Sequence, residues 1–173
     1  MKTAFLIIDV QNGVFGESSA LFEKNNVLEN IRRISQQQRA LPTLFAYVQH
    51  EAPGIVEFQS PQWQLHNTLD VQAADIYIRK QSPDAFFNTQ LHQQLQERGI
   101  EHLLLCGYSS DFCIDRTAFS AASQGYKVTI VADAHTTHDK PHLSAGQIRT
   151  HHNFILSKHP SIQVRSTDDL CSD

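Results

Sequence analysis

Short apolar runs alternate with amphipathic segments from one end of the chain to the other. Phe5 to Ile8 is a continuous apolar run, the pattern of a strand buried on both faces. From Asn25 to Ala40 the apolar residues Val27, Leu28, Ile31 and Ile34 recur at helical spacing, and Pro42 ends that helix. Thr43 to Gln49 predicts a second strand. Residues 50–74 carry Pro53, Gly54 and Pro61, so a long irregular excursion is expected. Excursions of that length inside a compact domain commonly carry function. Ile76 to Ile78 predicts a short strand ending at Arg79 and Lys80. Leu91 and Leu95 mark a helix stopped by Gly99. Leu103 to Cys106 predicts a fourth strand, and Ile114 to Gln124 a helix closed by Gly125. Val128 to Val131 predicts a fifth strand, ending at Ala132-Asp133-Ala134. A helix over Ser144 to Ser157 is expected to bury Ile148, one of His151 and His152, Ile155 and Leu156. Ile162 to Val164 forms a last short strand. This repetition predicts a Rossmann-like three-layer α/β/α fold, its mostly parallel central sheet having about six strands.

Size and charge narrow the picture. With 173 residues the chain fits one domain over 1–173 with a sizeable core. Fourteen basic and eighteen acidic side chains give a net charge of -4, which offers no electrostatic case for a nucleic acid or an anionic membrane partner. No apolar stretch is long enough to cross a bilayer. Asp9 interrupts the first apolar run and no small-residue cleavage site follows, so that run reads as a strand and not a signal peptide. Cys106, Cys113 and Cys171 are odd in number and irregular in spacing. That argues for a reducing cytoplasm over a disulfide framework.

In a parallel α/β sheet, sites form outside the carboxyl ends of the strands, near the switch in strand order. Asp9 ends the first strand, Lys80 the third, and Cys113 follows the fourth through a glycine-led turn. Cys113 sits where a helix should begin, and the helix dipole there favours thiolate over thiol. The three side chains divide acyl chemistry between them. Cys113 attacks an acyl carbon to give a thioester that water resolves. Lys80 stabilises the sulfur anion, and Asp9 takes the thiol proton and returns it to the leaving group. Backbone N–H groups of the turn hold the oxyanion. Several aromatic residues, including Phe86 and Phe87, fall near this edge. Phe15, Trp63, Tyr108 and Phe112 are the expected walls of a pocket for a small-molecule substrate. No G-x-G-x-x-G follows the first strand, so no dinucleotide cofactor is expected. His135-Thr-Thr-His138 and His142 read as a polar surface loop at the pocket rim. Asp115 and Arg116 are expected to pair or to cap their helix.

Leu6-Ile-Ile-Asp9-Val-Gln-Asn12, Arg79-Lys80, Gly107-Tyr-Ser-Ser-Asp-Phe-Cys-Ile-Asp115, Gly125-Tyr126 and Val131-Ala-Asp-Ala134 form an ordered set. That set resembles the isochorismatase-like cysteine hydrolases, which include nicotinamidases and other small-amide hydrolases, over nearly the whole chain. The resemblance implies that Asp9, Lys80 and Cys113 fall on catalytic positions. It implies an oxyanion hole from the backbone amides of Ser109 and Cys113, a cis peptide between Tyr108 and Ser109, and a homo-oligomer (dimer or tetramer). Three departures stand out. Ser110 replaces a frequent threonine, though both carry a hydroxyl. Gln49-His50-Glu51 stands where nicotinamidases bind a metal through Asp-x-His, while Trp63-Gln-Leu-His66 keeps their Trp-x-x-His segment. The branch that cleaves a vinyl ether commonly lacks the cysteine, so Cys113 favours acyl transfer. The expectation is a cytoplasmic cysteine hydrolase cleaving a C–N bond of a small amide or related acyl compound, without metal or other cofactor. The alternatives are a metal-dependent nicotinamidase using His50 and His66, and a non-catalytic binding protein on the same scaffold.

Overall fold

A computed structural model of the chain describes residues 1–172. Its elements run β1 (Thr3–Ile8), α1 (Asn12–Phe15), α2 (Lys24–Arg39), β2 (Leu44–His50), β3 (Ile76–Lys80), α3 (Leu91–Glu97), β4 (His102–Tyr108), α4 (Cys113–Ser123), β5 (Lys127–Thr136), α5 (Ala145–Leu156), β6 (Ile162–Arg165) and α6 (Thr167–Cys171). The strands form one six-stranded sheet in the order β3-β2-β1-β4-β5-β6, and every neighbouring pair is parallel.

The continuous apolar run of β1 is explained by its two faces. Ala4, Leu6 and Ile8 pack in one layer with Leu91 and Leu95 of α3 and Ile114 and Ala118 of α4. Phe5 and Ile7 pack in the opposite layer with Val27, Ile31 and Ile34 of α2. Side chains alternate across a strand, so a strand covered on both sides must be apolar at every position. Strand order reverses between β1 and β4, and the crevice outside their carboxyl ends is the site position this topology favours. Gly107 lets the two strands close there. Its φ is 117°, and a Cβ would lie 2.0 Å from the carbonyl oxygen of Ile8, so no side chain fits.

The excursion after β2 folds back over this edge. Asn12 and Gly13 donate their backbone N–H groups to Gln64 and Gln62, and the His66 N–H donates to Val10. α5 begins with a capping box between Ser144 and Gln147.

The structure corrects several expectations. β5 continues past Val131 to Thr136, pairing His135 with Gly107 and Thr136 with Tyr108. His135, Thr136 and Thr137 are therefore fully buried and not part of a surface loop. Only His142 of that group is exposed, with His138 half-buried. In α5, His152 and Ile155 are half-buried and His151 is exposed. The short helices α1 and α6 carry too few turns to show helical periodicity. Among the described residues no helix is long and apolar enough to cross a membrane.

Candidate active site

Asp9 directly follows β1 with φ 55°, and its backbone N–H donates to the Val48 carbonyl at 2.8 Å. This left-handed backbone aims the side chain across the end of β2 toward β3. Lys80 is the last residue of β3, and its side chain is fully shielded from solvent. Cys113 opens α4. These three residues, widely separated in the chain, meet at one point. The Lys80 ammonium donates to Asp9 Oδ2 at 2.9 Å, to Cys113 Sγ at 3.3 Å and to His50 Nδ1 at 3.2 Å. An ammonium has three hydrogens and no lone pair, so its donors are used up. The other Asp9 oxygen, Oδ1, is buried with no hydrogen-bond partner among the described residues.

Burial pushes the Lys80 pKa down, but the Asp9 carboxylate and the Cys113 sulfur outweigh it, and the net shift is upward. Cys113 is pushed up to about 12 by burial and by the Asp9 carboxylate, with Lys80 only partly opposing. The resting group is therefore a thiol, which corrects the expectation of a standing thiolate. The flanking charges of Asp9 and Lys80 offset each other, and desolvation then decides for the neutral form.

The turn before α4 contains a cis peptide bond between Tyr108 and Ser109. The Ser109 carbonyl accepts from the N–H groups of Phe112 and Ile114 at 3.1 and 3.0 Å, and Ser110 N donates to Thr136 O at 3.0 Å. The N–H groups of Ser109 and Cys113 have no protein acceptor among the described residues. Beneath the turn, Ser110 Oγ lies 2.8 Å from His135 Nδ1, and His135 Nε2 lies 2.8 Å from Asn153 Oδ1. Asn153 Nδ2 donates to Ala132 O, so Oδ1 faces the ring and Nε2 carries the hydrogen. Burial depresses His135 to about 4, which keeps that neutral tautomer.

A cavity of about 1030 Å³ opens over this edge, with Asp9, His50 and Cys113 among its lining residues. Tyr108 and Phe112 line it as expected. Phe15 and Trp63 do not. Phe15 is turned into the core by the single turn of α1, against the ring of His66. The Trp63 ring packs edge-on against Phe58 at 5.0 Å, while its carbonyl accepts from Gln11 and Gln49. Phe86 stacks on Tyr126 away from the cavity. At the rim Lys140 pairs with Asp111 at 3.3 Å, and the Tyr108 hydroxyl lies 3.2 Å from His138 Nδ1. Asp115 pairs with Arg116 as expected and also meets His152 at 3.1 Å.

Gln11 escaped the sequence reading as a site residue, and His50 was read there only as a candidate metal ligand. Gln11 is fully buried, accepts from His50 N at 2.9 Å and donates to His50 O at 3.0 Å. His50 is the third partner of Lys80, and its place beside the first-strand aspartate was the available signal. His66 bonds Thr68 at 2.9 Å and lies outside the cavity lining, so it does not share a centre with His50. Among the described residues no group of three His, Cys, Asp or Glu side chains gathers in a way that would hold a metal. A metal bound in the nicotinamidase manner does not fit these donors.

Comparison with known proteins adds an independent line. A family model described as an isochorismatase domain matches residues 3–154. Streptothricin hydrolase of Streptomyces noursei is 32% identical over 140 residues, covering 80% of this chain and 51% of that protein. The chain thus spans about half the length of that relative. The uncharacterized isochorismatase family protein YddQ of Bacillus subtilis (strain 168) is 34% identical over 142 residues, covering 79% of each. A crystal structure of an isochorismatase family protein superposes with a TM-score of 0.88 at 31% identity, covering 95% of this chain and 98% of that one.

Proposed function

Because the chain belongs to the isochorismatase family of hydrolases, we propose that it is a cysteine hydrolase acting on a small amide or related acyl compound, breaking the C–N bond through a thioester on Cys113. One observation carries this reading. A neutral buried thiol lies beside a carboxylate, one of whose oxygens, Asp9 Oδ1, is buried without a hydrogen-bond partner among the described residues. A buried lone pair left unbonded is costly in a purely structural pair, and it suits a group that must accept a proton.

The steps follow from the contacts. The substrate carbonyl enters above Cys113 with its oxygen toward the N–H groups of Ser109 and Cys113. Sγ attacks the carbonyl carbon as its proton passes to Asp9. Lys80, held at 2.9 Å from Asp9 and 3.3 Å from Sγ, offsets the negative charge while it moves between them. The tetrahedral oxyanion collapses, Asp9 returns the proton to the departing nitrogen, and the amine or ammonia leaves a thioester. Water, deprotonated by Asp9, attacks the thioester, and the proton then goes back to the sulfur as the acid is released. All three cysteines are free thiols, which supports a reducing, cytoplasmic setting.

The test is a panel of small primary and secondary amides assayed for ammonia or amine release, with Cys113→Ala as control. At least one amide should turn over, and Cys113→Ala should lose on the order of 10³-fold or more of that rate while keeping its fold. Undiminished release by folded Cys113→Ala would overturn the reading.

A further inference from the structure

We propose that His50 is a further substrate-binding residue, whose Nε2–H donates a hydrogen bond into the cavity to a carbonyl or hydroxyl oxygen carried by the substrate beside the scissile amide. The proposal rests on the amide-hydrolase reading of the Cys113 site and names a requirement on that substrate.

The Lys80 ammonium has no lone pair, so its 3.2 Å contact with His50 Nδ1 requires Nδ1 to be the acceptor. A neutral ring that accepts at Nδ1 carries its hydrogen on Nε2. Nε2 has no hydrogen-bond partner among the described residues. It is also not enclosed, since the buried unpaired side-chain atoms are Asp9 Oδ1, Arg39 Nε and Trp63 Nε1. His50 lines the cavity, and a ring hydrogen that is neither bonded nor enclosed is available to what fills it. Burial and the neighbouring Lys80 charge hold the ring below its ordinary pKa, against the smaller pull of Asp9 and Glu51.

The main chain under the ring is fixed for this purpose. Gln11 grips the His50 N–H and C=O with one side-chain amide and ties the same strand end to Trp63 O at 2.9 Å. A fully buried glutamine whose amide is spent on the backbone of His50 and Trp63 holds that strand end in place. A donor so held discriminates well, because a substrate lacking the matching oxygen leaves it unpaired.

Two variants separate the two sides of the ring. In His50→Asn the side-chain oxygen falls near the old Nδ1 position and still accepts from Lys80, but nothing reaches the Nε2 position. In His50→Gln the amide nitrogen extends to the Nε2 position and restores a donor. The readouts are the alkylation of Cys113 by iodoacetamide as a function of pH, and the protection given by glycolamide, lactamide and pyruvamide, each of which carries a hydroxyl or carbonyl oxygen beside its amide. In His50→Asn the midpoint of the pH profile should stay where it is in the wild type, while the protecting amides bind on the order of tenfold more weakly. His50→Gln should bring protection back to within about threefold of the wild type. Wild-type protection in His50→Asn would overturn the proposal and leave His50 as a partner of Lys80 only. Equal weakening in both variants would overturn it as well. A wild-type Cys113 that is alkylated yet protected by no amide would instead remove the amide-hydrolase reading, and this proposal with it.

Discussion

Asp75 and Asp9 are both buried against cations, and they are finished differently. Asp75 receives both guanidinium nitrogens of Arg39 at 2.6 Å, and Gln72 N donates to it at 2.8 Å, so both its oxygens are bonded. The same guanidinium lies 3.5 Å over the Phe45 ring and donates to Asp70 O. Asp9 has one oxygen bonded by Lys80 and the other without a hydrogen-bond partner among the described residues. In the first pair both carboxylate oxygens are bonded, although Arg39 Nε is buried without a hydrogen-bond partner among the described residues, and the pair ties α2 to the segment entering β3. The second leaves a buried acceptor unbonded beside a thiol, among residues that line a cavity. A buried ion pair is therefore a poor guide to function by itself, and under the proposed mechanism the unbonded carboxylate oxygen distinguishes the Asp9 pair.

Asp9→Asn should separate the pairs most strongly. Loss of the general base lowers turnover by roughly 10³-fold. The same variant removes the carboxylate that raises the Cys113 pKa, so iodoacetamide should alkylate Cys113 faster at neutral pH than in the wild type. A site that becomes more nucleophilic and less active is the signature of a proton acceptor. Slower alkylation together with lost turnover would point to simple disruption.

Arg39→Met should do the reverse. Stranding the Asp75 carboxylate costs about 3–5 kcal/mol of stability, read by urea denaturation. Turnover per folded molecule should be unchanged. A large activity loss without a stability loss would erase the contrast between the two pairs.

His135 extends the comparison to a third buried polar group, one whose two ring nitrogens are both bonded. Its folded-state pKa is depressed to about 4, below the unfolded value of about 6.5. The native state thus binds fewer protons than the unfolded chain between those values. Its contribution is present above about pH 6.5 and is lost as pH falls toward 4, amounting to about 3 kcal/mol over that window. His135→Gln should flatten that part of the stability profile relative to the wild type. An unchanged acid limb would show that His135 is not the group responsible.

Much of this was readable from residue order, and the parts that were not share a cause. The runs at Phe5–Ile8, Phe45–Val48 and Leu103–Cys106 announce doubly covered strands, because only uninterrupted apolar sequence survives between two helical layers. Asp9, Lys80 and Cys113 were legible as strand-end residues of such a sheet. The tail of β5 was not, because Ala134-His135-Thr136-Thr137 is polar by composition. Its polar groups are satisfied by partners such as Ser110, Asn153, Phe22 and Asp111, remote in sequence. Phe15 and Trp63 were misjudged as pocket walls because the path of the 51–75 excursion decides where they point. The protonation state of Cys113 was out of reach for a related reason. It depends on how closely Asp9 and Lys80 approach it, and spacing along the chain does not report that.

The sharpest measurement is peptide mass spectrometry on enzyme acid-quenched during turnover of an amide it hydrolyses. The account predicts the acyl group of that amide on the peptide containing Cys113, absent from Cys113→Ala, which also releases no amine. Continued amine release by Cys113→Ala, with no acyl mass anywhere on the chain, would contradict it.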